Sequence, residues 1–506
     1  MDQRTSILDF KFDSVAGVET CKLRRCDGLA QLEQFFEDRK KEDKIPNERQ
    51  LFIIETAINE TIFRRLQKQL TSELGVSKDI FKRHEWSQTT FRFNEVINCP
   101  RLPTTARPRR SFSLEYFELW HVDKSNYAWF NCHNPTTVKC GSTGRQIQCY
   151  KWMKSRRCGW LLIAPRKCSF WSKRDGDGWK AVILCDPAPK RVVLNDSETS
   201  KSIDVKITAF EDGYHGFIPD EVRGSKVQEP SHLSFLGDVT YYFEHYADVL
   251  GPMSDPASAA IFPRKVVASH YCQLLGFVSH QAASMRSSGW AAQRRTVQEI
   301  DESNQVETAW RQFKCPEYLE ALGAVLDSLG IPQGHEPYDA FEKESTVDTS
   351  PKHRALLERP PDEGDWLSSV PDFLYLHREF RAHLADYARM TSSLAALNGM
   401  IGGRIAILEA RTAKSLTLVA MVFAPPACVA SIFSIPFDMF GQDGGPRFWW
   451  YWVAAIPLTL IVFLLTYLVH ERDEFFRLWE VKKKAHYPEE AKNKTIEGGG
   501  GSKESV

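Results

Sequence analysis

The stretch FAPPACVASIFSIPFDMFG, residues 423–441, decides how the chain is organised. It is apolar, it carries three prolines, and its first charge is Asp438. It begins inside a run of 23 uncharged residues, 415–437, and a second run of 22, 448–469, follows after a loop of ten residues. At about 1.5 Å per residue, each run crosses a hydrocarbon core of about 30 Å as a helix. The sequence therefore predicts two transmembrane helices, TM1 and TM2, joined as a hairpin by an outer loop at 438–447.

The charges beside the hairpin predict its orientation. Basic residues flank it at Arg404, Arg411, Lys414, Arg472, Arg477, Lys482, Lys483 and Lys484, whereas the loop holds only Arg447. Because basic flanks stay in the cytoplasm, both termini are predicted to be cytoplasmic. The N-terminus, MDQRTSILDF, resembles neither a signal peptide nor a transit peptide. We expect an integral, two-pass membrane protein with a cytosolic bulk, in the plasma membrane in preference to an organelle membrane.

The composition of the 506-residue chain excludes several functions. It holds 65 basic and 65 acidic residues, so the chain has no net positive charge that would attract nucleic acid. It contains no GxxxxGK[ST], HExxH or GxSxG motif, and we expect no enzyme activity. Twelve cysteines include no CxxC pair. A metal site at Cys132, His133 and Cys140 is one interpretation of them, and free buried thiols in a reducing compartment are the preferred one.

The residues before the hairpin predict an α+β membrane protein with a large cytosolic part. An N-terminal extension at 1–44 precedes an α/β domain at 45–236, whose strands are expected at RQLFIIE, SFSLEYFELWHV, GWLLIAP and WKAVILCD. A helical region follows at 237–332, then a linker rich in Pro, Glu and Asp at 333–365, and a very long stalk helix at 366–414 that feeds TM1 at 415–437. Beyond TM2, residues 470–506 form a cytosolic tail that we expect to be partly disordered.

Apolar residues in the stalk recur every seven positions. They are Phe380, Tyr387, Leu394, Ile401 and Leu408, a spacing that predicts a coiled-coil seam for self-association. Gly399, Gly402 and Gly403 lie beside this seam. They permit either a close approach of helices or a hinge, and close approach is the preferred interpretation.

The sequence of TM1 matches a known pattern at several positions. Divalent-cation transporters of one family typically read F-I-P-L-T-F-I-A-G-I-Y-G-M-N-F there, and this chain matches at Phe423, Pro425, Ala430, Ile432 and Phe437. In topology and in these residues the chain resembles the CorA family, its divergent fungal-type members above all. It departs from the family's Gly-Met-Asn signature, where it has Ser434, Ile435 and Pro436. The resemblance implies a homopentamer in membrane lipid, TM1 lining the pore, and a divalent cation such as Mg²⁺ as the transported or regulatory ion, without a covalently bound cofactor.

One face of TM1 is small and polar. Its residues lie three or four positions apart and so share one side of a helix: Thr417, Ala420, Ala424, Ala427, Ser431, Ser434 and Asp438. In a family-like pentamer this face presents stacked rings, and Asp438 with Asp443 forms an outer acidic ring. The alternative is that small residues let helices pack closely. The three prolines leave the carbonyls of Met421, Val422 and Ile432 without their helical hydrogen-bond partners. Either these carbonyls face a cation, or the prolines simply kink the helix.

Two functions follow from these features. We expect a CorA-like channel or transporter that passes divalent cations into the cytoplasm. The alternative is a non-conducting, membrane-anchored oligomeric scaffold or sensor, favoured by the missing signature and the enlarged soluble domain. A membrane-tethered enzyme is a third hypothesis with no motif behind it. The sequence assigns no residue to a regulatory cation site.

Overall fold

A computed structural model describes most of the chain before the predicted hairpin and part of residues 415–469. The described residues are 3–13, 18–41, 47–57, 60–86, 110–154, 157–194, 202–223, 229–250, 253–292, 315–330, 365–434 and 452–464. They belong to two compact units, Met1–Ser393 and Leu394–Val506. Ile435, Pro436, Asp438 and Asp443 lie outside the described residues, as do nearly all of the predicted linker and the whole predicted tail.

A sheet of eleven strands forms the frame of the first unit. The strands are β1 (Arg4–Asp13), β2 (Val18–Asp27), β3 (Arg49–Glu55), β4 (Ser111–Val122), β5 (Thr137–Cys140), β6 (Gln146–Lys154), β7 (Arg157–Asp175), β8 (Gly178–Cys185), β9 (Arg191–Leu194), β10 (Ser202–Asp204) and β11 (Ile207–Ala209). Their order is β10-β9-β5-β6-β7-β8-β3-β1-β2, with β4 paired to β7 and β11 paired to β4. Among the described pairs, β3 and β8 run parallel and the others antiparallel.

Helices cover this sheet and continue beyond it. They are α1 (Leu29–Lys41), α2 (Glu60–Leu74), α3 (Lys78–Glu85), α4 (Tyr127–His133), α5 (Asp220–Arg223), α6 (Phe235–Tyr246), α7 (Ile261–Ala292), α8 (Cys315–Ser328), α9 (Val370–Phe433) and α10 (Trp452–Leu464). Short 3₁₀ turns connect several of them.

The central strands are buried on both faces. In β3, RQLFIIE, Leu51 and Ile53 enter one hydrophobic core, whereas Phe52 and Ile54 enter another. Successive side chains alternate because a strand has a period of two. The first core packs against α6, α7, α8 and the start of α9, and the second packs against α1, α2 and α3. A continuous apolar run thus marks a strand between two helical layers.

Strands β1 and β2 of the predicted N-terminal extension are part of this sheet and do not merely precede it. β1 pairs with β2 along ten residues, and with β3 from the Arg4–Glu55 pair to the Phe10–Arg49 pair. The predicted helical region packs on the same sheet, since the Tyr271 hydroxyl of α7 donates to the Glu115 carbonyl of β4 at 2.7 Å. The predicted boundaries at 44 and 236 therefore divide one packed unit.

Helix α9 is continuous for 64 residues, about 96 Å at 1.5 Å per residue. It covers nearly all of the predicted stalk and most of predicted TM1. Gly399, Gly402 and Gly403 lie inside it, and a Cβ placed on any of them meets no atom within 4 Å. The hinge interpretation finds no support in this unbroken helix. Among the described residues, no other helix approaches these glycines closely.

The heptad seam of α9 has two environments. Phe380 and Tyr387 are buried in the first core, where the Phe380 and Tyr271 rings lie 6.2 Å apart and the Tyr387 hydroxyl reaches the Val278 carbonyl at 3.4 Å. Leu408, by contrast, is 60% exposed. The prediction that the whole seam is available for self-association is corrected here, because its first two positions stabilise the chain's own core.

The mixed α+β architecture is confirmed, with one long apolar helix. The predicted pair of transmembrane helices is not shown. Among the described helices, α9 is the one long and apolar enough to cross a membrane, over Ile405–Ser431. The described part of α10 is apolar and covers residues 452–464, whereas a span needs ~20 residues.

Candidate functional site

The candidate site lies on the membrane-length part of α9. Only 12% of its apolar window within Ile405–Ser431 is buried, whereas a core helix of a soluble protein is mostly buried. Leu416, Val419 and Phe423 are 72%, 55% and 66% exposed. Large apolar side chains exposed along a whole helix need a partner surface or lipid around them.

Six of the seven predicted pore-lining residues are exposed, five on α9 and the sixth, Ser434, directly after its last residue. They are Thr417, Ala420, Ala424, Ala427, Ser431 and Ser434. At 3.6 residues per turn, they fall within an arc of about 100° around the helix axis. We call this surface the polar arc. Its predicted last member, Asp438, lies outside the described residues.

The hydroxyl groups of the polar arc donate to their own helix. Thr417 Oγ1 donates to the Ala413 carbonyl at 2.8 Å, and Ser431 Oγ donates to the Ala427 carbonyl at 2.9 Å. Ser434 Oγ donates to the Ser431 carbonyl at 2.8 Å. With its proton engaged, each oxygen still has a lone pair to accept a hydrogen bond. The exposed polar arc is therefore a row of hydrogen-bond acceptors. Acceptors suit a hydrated cation, because the hydrogens of its water shell point outward.

The prolines do not interrupt α9. Pro425 and Pro426 lie inside it, and the helix continues to Phe433. Met421, whose carbonyl we predicted to be released, makes an interaction in the structure. This interaction does not support the hypothesis that the Met421 carbonyl faces a cation. Pro436 lies outside the described residues.

A buried polar cluster in the first unit was missed by the sequence reasoning. Its centre is Asp186, which follows β8 and is 1% exposed. The Asp186 carboxylate pairs with the Arg145 guanidinium and accepts the Lys167 backbone N–H at 2.6 Å. His84 Nε2 lies 3.4 Å from its other oxygen, and His84 Nδ1 lies 3.0 Å from Ser169 Oγ. Ser169, His84 and Asp186 thus have the connectivity of a hydrolase triad.

This triad-like arrangement is a structural element. Ser169 and His84 are completely buried, and Ser169 Oγ also bonds Ser113 Oγ at 2.8 Å, so no substrate reaches them. Burial, and then the nearby Arg145 charge, lowers the pKa of His84 well below its ordinary value. The imidazole is neutral at pH 7. Its interactions join α3, β7 and the end of β8.

A second layer of charges extends this cluster between β4 and β7. Arg166 Nε lies 3.1 Å from Glu118, which also accepts the Tyr116 hydroxyl at 3.1 Å. The Lys167 ammonium lies 3.9 Å from Glu115. Burial lowers the pKa of Lys167 to about 8 and that of Arg145 to about 10. The one sequence signal was the pair Arg166–Lys167 inside an otherwise apolar strand, GWLLIAPRKCSFW.

The metal site that was the alternative interpretation of Cys132, His133 and Cys140 does not form in the described residues. Cys132 is exposed and Cys140 is buried. His133 Nδ1 bonds the Trp129 carbonyl at 2.9 Å, and Cys140 Sγ contacts Ser142 Oγ at 3.2 Å. In the described part of the chain, no group of three or more His, Cys, Asp or Glu side chains is placed to hold a metal ion.

No protein-family model matches the chain, and no curated protein matches it. The CorA likeness rests on the residues of TM1 and on the order of elements along the chain.

Proposed function

We propose that this chain is a subunit of a CorA-like membrane conduit that passes divalent cations such as Mg²⁺ into the cytoplasm. The observation that carries the proposal is the polar arc on a helix of membrane length. A purely apolar anchor needs no such arc. A cation path needs one, because oxygen atoms must replace or hold the ion's water shell.

The chemistry of the polar arc favours cations over anions. Thr417, Ser431 and Ser434 present oxygen acceptors, since their protons are bound to backbone carbonyls. Magnesium gives up its waters reluctantly and is held through them. The water hydrogens point away from the ion, toward such acceptors. An anion, whose first-shell waters point their oxygens outward, finds no matching donors in these hydroxyls.

Conduction also requires several copies of the chain. One arc encloses no path, so helices from different copies must face one another. The exposed side chains of Met400, Ile407 and Leu408 and the uncovered glycines offer contact surfaces for a second copy. From the family resemblance we propose a homopentamer, with Asp438 and Asp443 as its outer acidic ring.

The second span belongs to the proposal as well. Pro425 and Val429 lie four residues apart on α9 and are buried, and Ala455 on α10 is 2% exposed. This supports packing of the two helices as a hairpin, with TM2 extending over 448–469. The basic flanks then place both termini in the cytoplasm, in the plasma membrane by preference.

Ion uptake by the purified full-length protein tests this function. We expect liposomes that contain the protein to take up Mg²⁺ in a saturable manner, driven by an inside-negative potential, as reported by an enclosed magnesium-sensitive dye. Protein-free liposomes serve as the control. Native mass spectrometry of the same preparation measures the number of subunits.

The alternative function has a distinct outcome in this experiment. A protein that assembles into a closed oligomer but moves no divalent cation is a membrane-anchored scaffold or sensor. The residues Ser434, Ile435 and Pro436 at the signature position favour that alternative. A strict monomer without uptake contradicts the conduit directly.

A further inference from the structure

A cavity of about 220 Å³ lies in the first unit, beside α6. Four tyrosines line it: Tyr214 from the preceding loop, and Tyr241, Tyr242 and Tyr246 from the helix. The three helical rings have centroids 5.7 to 6.4 Å apart. Tyr241 is partly exposed, whereas the other three rings are nearly buried. The cavity wall is therefore a cluster of aromatic rings.

Carboxylates dominate the charged groups of the same cavity. Glu211, Asp212 and Glu229 line it and are exposed, against a single lining guanidinium, that of Arg223. The carboxylates of the lining outnumber its guanidinium by three to one. Aromatic faces attract cations through their quadrupoles, and organic cations use such cages. Rings and carboxylates together thus select for an organic cation.

The loops that carry these carboxylates are held in an uncommon conformation. Glu211, Asp212 and His232 have φ values of 49°, 64° and 51°, and they are three of the five described non-glycine residues with positive φ. Asp238 holds the second loop, because it accepts the His232 backbone N–H at 2.9 Å and faces His232 Nδ1 at 3.6 Å. Backbone strain of this kind concentrates at ligand sites.

Within the described residues, no group meets hydrogen-bond geometry with the Tyr214 hydroxyl in the cavity wall. Tyr214 is 3% exposed, and its ring packs between His232 and His270 with centroids 4.5 and 4.6 Å away. Burial, and then the nearby Asp238 carboxylate and Tyr242 hydroxyl, raise the pKa of Tyr214 well above its ordinary value, although neither group meets hydrogen-bond geometry with it. A buried hydroxyl is nearly always paired. An N–H group in the cavity supplies the missing partner.

We propose that this cavity binds a small protonated aliphatic amine, a function separate from cation passage along α9. One ammonium lies against the rings of Tyr241 and Tyr242 and donates to the Tyr214 hydroxyl. A second positive charge at the rim meets Asp212 and Glu229. A cavity smaller than the roughly 300 Å³ of drug-sized pockets suits a short chain. The described residues hold no cluster suited to a bare metal ion, so the expected ligand is organic.

Isothermal titration of the full-length protein with 1,4-diaminobutane tests the proposal. We expect saturable binding with one site per chain. The double variant Asp212→Asn/Glu229→Gln weakens binding by about fivefold or more, since two exposed counter-charges are lost. Asparagine suits the left-handed backbone of Asp212. The matched control, Glu221→Gln/Asp248→Asn, removes two exposed charges that do not line the cavity and leaves binding unchanged.

Three results overturn the proposal. The first is that 1,4-diaminobutane shows no saturable binding to the wild-type protein. The second is that both double variants weaken its binding equally. The third is that MgCl₂ displaces the diamine more than NaCl does at equal ionic strength. The first shows that the cavity takes no amine, the second that only net charge matters, and the third that the site prefers a metal ion. Each is distinguishable from a failure of ion uptake in liposomes.

Discussion

At the residue scale, buried charges stabilise the first unit through one carboxylate. Asp186 directly follows β8. Its carboxylate pairs with the Arg145 guanidinium, accepts the Lys167 backbone N–H and lies beside the neutral His84 ring. Charges inside a protein are tolerated when they are paired and hydrogen-bonded. Removing the central charge leaves the others in a medium that cannot solvate them. Asp186 is therefore the residue on which the buried cluster depends.

We predict that Asp186→Asn lowers the free energy of unfolding by about 3–5 kcal/mol, the cost of leaving a buried charge without its partner. Chemical denaturation of the full-length protein in detergent, followed by tryptophan fluorescence, measures this. The control is Asp175→Asn, whose carboxylate is 70% exposed and 3.9 Å from Lys180. Its expected cost is below about 1 kcal/mol. An equal loss of unfolding free energy in the two variants contradicts a stabilising role for the buried cluster.

Residue spacing predicted the polar arc but could not predict the buried cluster. The separations between Thr417 and Ser434 are local, so a helix alone brings those residues to one side. Asp186 and His84 are about a hundred positions apart along the chain and meet because α3 packs on β7, the strand that pairs with β8. No local periodicity encodes that contact. The same holds for the tyrosine-lined cavity, where Tyr214 and Tyr242 come from a loop and a helix.

At the element scale, burial on two faces made the central strands predictable. RQLFIIE is β3, and SFSLEYFELWHV is β4, as their apolar and aromatic residues indicated. β1 reads RTSILDFKFD and lies in the stretch that was predicted to be an N-terminal extension. It nonetheless pairs with β3 and buries Ile7 and Leu8. Tertiary pairing overrode a mixed local pattern there.

Helix α9 shows the same limit in its heptads. Phe380 and Leu408 have equivalent positions in the repeat, yet one is buried in the chain's own core and the other is exposed. A heptad identifies an apolar stripe but does not identify what covers it. Only the later part of the seam remains for contacts between copies.

We predict that Leu408→Gln weakens assembly without unfolding the first unit. Leu408 is 60% exposed, so its substitution removes no intramolecular packing, whereas contact between copies loses an apolar side chain. Native mass spectrometry in mild detergent measures the oligomer, and circular dichroism measures folding. Glu409→Gln changes the neighbouring exposed position outside the seam and is the control. An unchanged oligomer in Leu408→Gln means that subunits do not meet along this seam.

At the scale of the whole molecule, the described fold combines a helix-covered sheet with a helix of membrane length. Sequence alone predicted both, because long uncharged runs and apolar strands are strong local signals. The hairpin, the pentamer and the acidic ring at Asp438 and Asp443 remain proposals. They depend on residues outside the described ranges and on contacts between copies. The central claim is narrower: the polar arc of α9 is the surface along which a divalent cation moves.

The most direct measurement compares magnesium flux in liposomes for Ser431→Val and Ser415→Val. Both serines are exposed and donate to their own helix, Ser415 to the Thr412 carbonyl at 2.9 Å. Ser415, however, lies about 150° from the centre of the polar arc on an ideal helix. We predict that Ser431→Val lowers flux about tenfold, as expected for one lost hydrogen bond to a charged species, and that Ser415→Val leaves it near wild type. Equal flux in the two variants, with assembly intact, contradicts conduction along the polar arc.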